Sequence, residues 1–382
     1  MRQIKNIVLL FSLLLAGCVK PFNPDISTSV TQKYVVSGRV TSTEGWQDVE
    51  VSRSSPVQSS VFLPTTGCKV TILDDQGNVF PAVEYKPGTY HVWIGQSFLA
   101  AGTSFRVRLL VPGGDQLESA FDRMPSGPVL DSVYYAMKDI PTSDPSVSLR
   151  IMQFYVDIYA KGDFSQYYKW DVTETGEYHA AHNLEYYYDG TQHRVNPPDS
   201  SKKVCYYTGL VKNIFTVSTK SLFQNTYQQF PLHAIDGTTS RLAILYSILV
   251  RQLALSEKAY NYWEQMRINS NEQGGLYEKQ PLAIKGNVVN LTHPEQDVLG
   301  FFYASSESTR RYFYKNVPGI ALDFNNGCTE SGLGRFGWRE FTRDEYPVYY
   351  YYPTAIVKVL DHECVDCRLG GGVLEKPDFW PN

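Results

Sequence analysis

The stretch Ser104–Val111 alternates without a break: Phe105, Val107, Leu109 and Val111 fall on one side, Arg106 and Arg108 on the other. Successive side chains of an extended chain point to opposite faces, so this pattern fits a strand with one face buried and does not fit a helix. The same period recurs in Ser148–Ala160, where Met152, Phe154, Val156 and Ile158 share a face, and again in Tyr168, Trp170 and Val172. Earlier in the chain, Cys68, Val70 and Ile72 oppose Lys69 and Thr71, and Tyr90, Val92 and Ile94 alternate after the Pro87-Gly88 turn. Tyr34–Thr41 and Val49–Ser52 are rich in β-formers, and Asp74-Asp75-Gln76-Gly77-Asn78 reads as a turn. Tyrosine suits a pleated, half-buried surface, and 28 tyrosines against 5 methionines tilt the whole chain toward sheet.

Short strands between turn signals predict a mainly β protein whose first unit, residues 33–124, is a β-sandwich of immunoglobulin or prealbumin type. Pro125-Ser126-Gly127-Pro128 breaks the pattern and marks a boundary. A larger β-rich unit is expected over 129–382. Its strands include Arg241–Gln252, where Leu242, Ile244, Tyr246, Ile248 and Val250 alternate, and then Ala283–Leu291, Val298–Ser305 and Arg311–Lys315. One helix is expected, over about 257–271. Ser256 is placed as its N-cap, with Leu255 and Tyr260 as a hydrophobic staple, Tyr260, Trp263 and Met266 along one face, and Gly274-Gly275 as its end. The polar segment Glu185–Lys203 reads as a long loop or hairpin.

The N-terminus carries a different message. A basic lead with Arg2 and Lys5 precedes an apolar run, Ile7 to Leu15, too short to span a bilayer, and the run ends in Leu15-Ala16-Gly17-Cys18. This reads as a bacterial lipoprotein signal over residues 1–17. Cleavage leaves an acylated Cys18 at the new N-terminus, and its lipid holds the protein at a membrane surface without a protein span. Residues 18–32, with Pro21 and Pro24, read as a tether. The later apolar run Leu242–Leu255 contains Arg251 and Gln252 and has the length of a core element. A formal charge of −4 gives no electrostatic footprint for nucleic acid.

With Cys18 acylated, Cys68, Cys205, Cys328, Cys364 and Cys367 remain. In an oxidising compartment two disulfides are expected among Cys205, Cys328, Cys364 and Cys367, in a connectivity the sequence leaves open, with Cys68 a buried thiol. Cys364-Val365-Asp366-Cys367 with two distant cysteines also has the composition of a four-thiolate zinc site; a thioredoxin-like redox pair needs a strand-to-helix setting that this glycine-rich tail lacks. Export favours disulfides over zinc.

Other chemistry is thin. Nucleophile-elbow, His-Glu-x-x-His and phosphate-loop motifs are absent from the sequence, and no cofactor is expected. Ser200 and Lys203 satisfy Ser-x-x-Lys, but inside a polar loop where chance is the better account. His179 and His182, near Glu177 and Glu185, have zinc-ligand types, yet strand spacing would set them on opposite faces, so loop or partner contact is the default. Glu174, Glu177 and Asp189 are acidic candidates without an evident partner carboxylate. Among the tyrosine clusters, Tyr186-Tyr187-Tyr188 is the best candidate for an interface. The terminal Phe379-Trp380 is expected either to dock on the second unit, pinned by the nearby cysteines, or to face a partner.

Several separated motifs are similar to those of one family. They are the lipobox at Cys18, Tyr34-Val35-Val36-Ser37-Gly38, Gly67-Cys68-Lys69-Val70-Thr71-Ile72, Tyr246 to Gln252, Ser256 to Trp263, Ile284 to Val288, and the tail from Cys364 to Trp380. On these the chain resembles the domain-of-unknown-function 4249 family, outer-membrane lipoproteins of Bacteroidota. The resemblance implies a lipid-anchored outer-membrane protein encoded beside a TonB-dependent receptor and serving it as a binding or accessory subunit in nutrient capture or gating. It carries no catalytic residue. The alternatives left open by the residues are a surface hydrolase of glycan or peptide and an adhesin or scaffold.

Overall fold

A computed structural model describes residues 32–55, 61–271, 284–322, 324 and 327–381. Cys18, most of the tether and the Gly274-Gly275 helix stop lie outside the described residues. The first half carries β1 (Tyr34–Thr41), β2 (Gly45–Arg53), β3 (Leu63–Pro64), β4 (Lys69–Asp74), β5 (Val79–Lys86) and β6 (Thr89–Ile94). It continues with β7 (Ser104–Leu110), β8 (Gln116–Ser119) and β9 (Asp122–Arg123). Next come β10 (Val133–Pro141), β11 (Ser148–Tyr159), β12 (Tyr167–His179), β13 (Leu184–Tyr188), β14 (Gln192–Asp199) and β15 (Val204–Leu210). After β16 (Phe215–Ser218), β17 (Thr226–Asp236) and β18 (Leu245–Ala254), helix α1 spans Glu257–Asn271. The chain ends with β19 (Val288–Asn290), β20 (Phe302–Tyr314), β21 (Glu330–Gly332), β22 (Val348–Tyr351) and β23 (Lys358–Leu360). The fold is mainly β, as the alternation requires.

One long sheet runs in the order β15-β12-β18-β20-β1-β2-β6-β5-β4-β7-β8-β19. Its hinge point is β1, antiparallel to β2 on one side (Val36↔Val51) and parallel to β20 on the other (Val40↔Ala304). The first core lies where this sheet wraps on itself, with Val36, Val51, Tyr90, Phe105 and Leu109 buried between its strands. Val288, Val298, Phe302 and Ala304 complete that core. The unit expected over 129–382 is therefore not closed: residues 288–304 return to the first half. The second core lies between the β15-β12-β18-β20 end and a separate sheet ordered β10-β11-β17, and buries Phe154, Val156, Trp170, Tyr246 and Ile248.

Three strand expectations are corrected. The strand expected over Arg241–Gln252 begins at Leu245, because Ser240–Leu242 forms a 3-10 turn before it. Val298–Ser305 and Arg311–Lys315 are not separate strands, because β20 is continuous. Its first residues pair with β1, and Ser306 to Tyr314 pair with β18. The polar run Ser305–Arg310 hid this, since backbone pairing rather than apolar alternation carries the middle of the strand. The strand expected over Ala283–Leu291 shrinks to β19, three residues paired with β8, and Ala283 lies outside the described residues.

Helix α1 begins as its sequence dictates. Ser256 Oγ accepts from the Ala259 amide (3.2 Å) and donates to Asp122 Oδ1 (2.6 Å), while Asp122 Oδ2 accepts from the Ala304 amide (3.0 Å). One buried carboxylate thus ties the helix start to β9 and β20. Leu255 is buried beneath the half-buried Tyr260.

The tail forms a third sheet, ordered β14-β13-β22-β23-β21. Cys205 bonds Cys367 and Cys328 bonds Cys364, while Cys68 is a buried thiol. Trp380 is 5% exposed, its indole N–H donates to Glu177 Oε2 (2.8 Å), and its ring meets the edges of Tyr206 and Phe313. Phe379 remains 40% exposed under the Arg311 guanidinium. Trp380→Ala is therefore expected to cost about 3 kcal/mol. Phe379→Ala should cost less than about 1 kcal/mol, because an exposed cation–π contact contributes little. Thermal unfolding of the two variants side by side checks the difference.

Candidate functional site

Alternation along β12 does two jobs. Tyr168, Trp170 and Val172 enter the second core, so Lys169, Asp171 and Thr173 must face the other way. On β18, Leu249 and Arg251 share that outward side, and on β1 so do Ser37, Arg39 and Thr41. Continuing across the sheet, β2 contributes Trp46, Asp48 and Glu50, and β5 contributes Tyr85. All of them line one cleft of about 710 Å³, so the long sheet curls around it. Trp263 of α1 and the segment 210–214 form its walls.

The cleft has a charged end and an aromatic end. At the charged end Asp171 sits between Arg39 (Nη1–Oδ2, 2.5 Å) and Lys169, which also bonds its carboxylate. Lys169 is buried, and its ammonium lies 4.4 Å from the centroid of the Trp263 ring. Burial pushes the Asp171 carboxyl up, but the charges of Lys169 and Arg39 outweigh it and hold the group at about 2. Burial likewise opposes the Arg39 charge, and Tyr303 and Asp171 more than restore it. Arg251 and Glu307 add a second ion pair at 3.1 Å. Two cations thus share the one carboxylate of Asp171, Arg39 from β1 and Lys169 from β12 itself, while Arg251 and Glu307 pair across β18 and β20.

At the aromatic end Trp46, His91 and Tyr85 stand in a stacked row. Centroids are 4.0 Å apart between Trp46 and His91 and 4.2 Å between Tyr85 and His91, with Trp93 edge-on to Trp46 at 5.5 Å. Trp46, Trp93 and Tyr85 are 57%, 52% and 44% exposed. Large rings left open on a sheet face, rimmed by the exposed carboxylates Asp48 and Glu50, are a surface for contact.

The residues singled out from sequence lie elsewhere. Of the loop or hairpin expected over Glu185–Lys203 the hairpin is found, β13 and β14 pairing antiparallel; Tyr186, Tyr187 and Tyr188 lie in β13, paired on both sides, and are half-buried. Tyr186 stacks on Tyr350, Tyr187 on His193 and Tyr188 on Trp338. Trp380 is taken up by packing and is not available as a partner-facing group. His179 meets Glu177 and His182 meets Glu330, so the two histidines do not converge. Glu185 instead lies near Arg194, and Ser200 and Lys203 meet through a backbone turn. Glu174 is buried under Tyr246, His233 and Arg241. Glu177 holds Trp380, and Asp189 holds His193. Three acidic candidates thus sit in three separate networks, none of them in the cleft lining. Sequence reasoning missed Arg39, Lys169, Asp171 and Trp46 of the cleft lining. Charged residues alternating with a buried face read as solvent-facing until the β1–β20 pairing closes a cleft over them.

The sequence profile described as domain of unknown function (DUF4249) matches residues 19–311. The chain belongs to the DUF4249 family. Every residue lining the cleft lies within the matched DUF4249 segment, whereas Cys328, Cys364, Cys367 and Trp380 lie beyond it. No curated protein matches. Among solved structures, trypsin-activated alpha-2-macroglobulin from Escherichia coli is similar at 12% identity. That likeness covers 60% of this DUF4249 chain and 15% of the other, with a TM-score of 0.20. At that score it carries no argument about fold. Among the described residues no helix is long and apolar enough to cross a membrane.

Proposed function

We propose that this protein is a lipid-anchored, outer-membrane binding subunit that serves a TonB-dependent receptor in nutrient capture or gating, and takes its ligand in the curled-sheet cleft. The observation that carries the reading is the cleft itself. Its charged end sets Arg39 and Lys169 around Asp171, with Asp48 and Glu50 exposed at the rim, which suits a polar ligand, and its open end offers exposed rings. Contact follows from such a surface, and the acidic residues singled out from sequence, Glu174, Glu177 and Asp189, are engaged elsewhere. The lipobox at Cys18 supports attachment to the membrane.

The test is affinity purification from solubilised outer membrane, followed by native mass spectrometry of the eluate. Wild type is expected to bring down a large TonB-dependent receptor and to carry a bound small molecule or peptide. Trp46→Ala should retain at most about a tenth of that ligand with unchanged thermal stability, since Trp46 is exposed. Repeated recovery of the protein alone counts against the receptor. Equal ligand retention in Trp46→Ala, or no ligand in wild type, counts against the cleft.

A further inference from the structure

The tail sheet gathers a second set of side chains. His182 follows β12, Cys328 lies just before β21 and Glu330 opens it, and Cys364 follows β23. Ligand atoms of His182, Cys328 and Glu330 all fall within 4.8 Å of one another, and the fourth donor, Cys364, is bonded to Cys328. His182 Nε2 is 2.9 Å from Glu330 Oε1. In the oxidised protein the two sulfurs share electrons with each other and are poor metal ligands. We propose that reduction of the Cys328–Cys364 bond converts this cluster into a zinc site with two thiolates, one imidazole and one carboxylate.

The frame that holds the donors does not depend on the disulfide. Glu330 pairs with Leu360 in the β21–β23 ladder, the Asp361 amide donates to the Thr329 carbonyl (3.2 Å), and the His182 amide donates to the Cys364 carbonyl (2.8 Å). These bonds keep the three chain segments together after the sulfurs part. Tetrahedral zinc with Zn–S bonds near 2.3 Å needs the sulfurs about 3.8 Å apart, a separation reached by side-chain rotation within the frame. The outer contacts also suit a metal. Tyr351 Oη donates to Glu330 Oε2 (2.9 Å), leaving Oε1 toward the centre, and the Tyr351 ring flanks the His182 imidazole at 4.3 Å. Such second contacts orient ligands before the metal arrives. His182 and Glu330 are both partly open to solvent, which provides an entry path.

The chemistry balances through a dithiol reductant. The disulfide takes two electrons and two protons from the dithiol, which leaves as its own disulfide; zinc then displaces both thiol protons as it binds. Disulfide and metal are therefore alternative states of the same four side chains.

Cobalt(II) titration of the full chain under anaerobic conditions tests this, with zinc competition afterwards. Reduced Cys205→Ser/Cys367→Ser protein is expected to bind one equivalent with a thiolate-to-metal charge-transfer band. The oxidised form should show none. His182→Ala and Glu330→Gln should each weaken binding at least tenfold. If the double variant does not fold, reduced wild type answers the same question: zinc should shield Cys328 and Cys364 from alkylation, mapped by mass spectrometry, while Cys205 and Cys367 react. No charge-transfer band, equal affinity in the His182 and Glu330 variants, or shielding of all four cysteines alike would overturn the site.

Discussion

Replacing Cys205 and Cys367 together by serine should lower stability by about 5 kcal/mol, and replacing Cys328 and Cys364 by about 4 kcal/mol, from loop-closure entropy alone. The order follows from the separations, 162 residues against 36. Burial widens the gap. Cys205 and Cys367 are fully buried in a small cluster with Tyr178 and Ala180, so serine would add hydroxyls with no assured partner. The same bond fastens β15, an edge of the long sheet, to the tail, beside the backbone pair between Tyr206 and Val373 (2.8 and 3.0 Å). Losing it should loosen Trp380 as well, so the double variant should bring Trp380 fluorescence closer to its unfolded value before the main transition. Urea midpoints of the two double variants measure the effect. Equal losses, or a larger loss for Cys328 and Cys364, would show that the long loop is not what the first bond restrains.

The architecture was legible wherever one face of a strand meets a core. Phe105 to Val111, Met152 to Ile158 and Tyr168 to Val172 all declare themselves by alternation, and each is buried as that pattern requires. Helix α1 was legible from Ser256, because a cap and a staple are local. What could not be read depends on pairing between distant segments. Nothing in Gly38-Arg39-Val40-Thr41 says that Phe302 to Ser305 will lie parallel beside it, 264 residues later in register. Yet that pairing joins the two halves and makes Arg39 and Asp171 neighbours. The cysteines show the same division. Two disulfides were expected from their number and spacing, but their partners are set by where β15 and the tail meet. In the Tyr186–Tyr188 run consecutive strand residues serve both faces, and its half-buried rings stack on Tyr350, His193 and Trp338.

Asp171→Ala is expected to destabilise the protein by about 3–5 kcal/mol, because it leaves Arg39 and the buried Lys169 without their counter-charge. The same carboxylate should govern part of the acid limb of stability. Its folded pKa, about 2, is depressed below the ordinary aspartate value of 3.8. A depressed acid contributes stability above its unfolded pKa, and that contribution is lost as pH falls from about 4 through about 2. The shift corresponds to about 2 kcal/mol. Urea unfolding at pH 6, 4 and 3 should therefore show wild type losing more stability than Asp171→Ala over the lower interval; parallel curves would mean that Asp171 is not the group titrating. A triple replacement separates holding the fold from holding a ligand. An ion cluster exchanged whole for apolar side chains of similar size is often neutral or stabilising, whereas removing one member is not. Arg39→Met, Lys169→Met and Asp171→Leu together should recover most of the stability lost in Asp171→Ala. If the cleft works as a binding site, that recovered protein should still fail to retain ligand, because the polar groups that matched it are gone. A triple variant that is stable and still retains ligand would confine the Arg39–Asp171–Lys169 cluster to a structural part and leave the aromatic end around Trp46 to carry recognition.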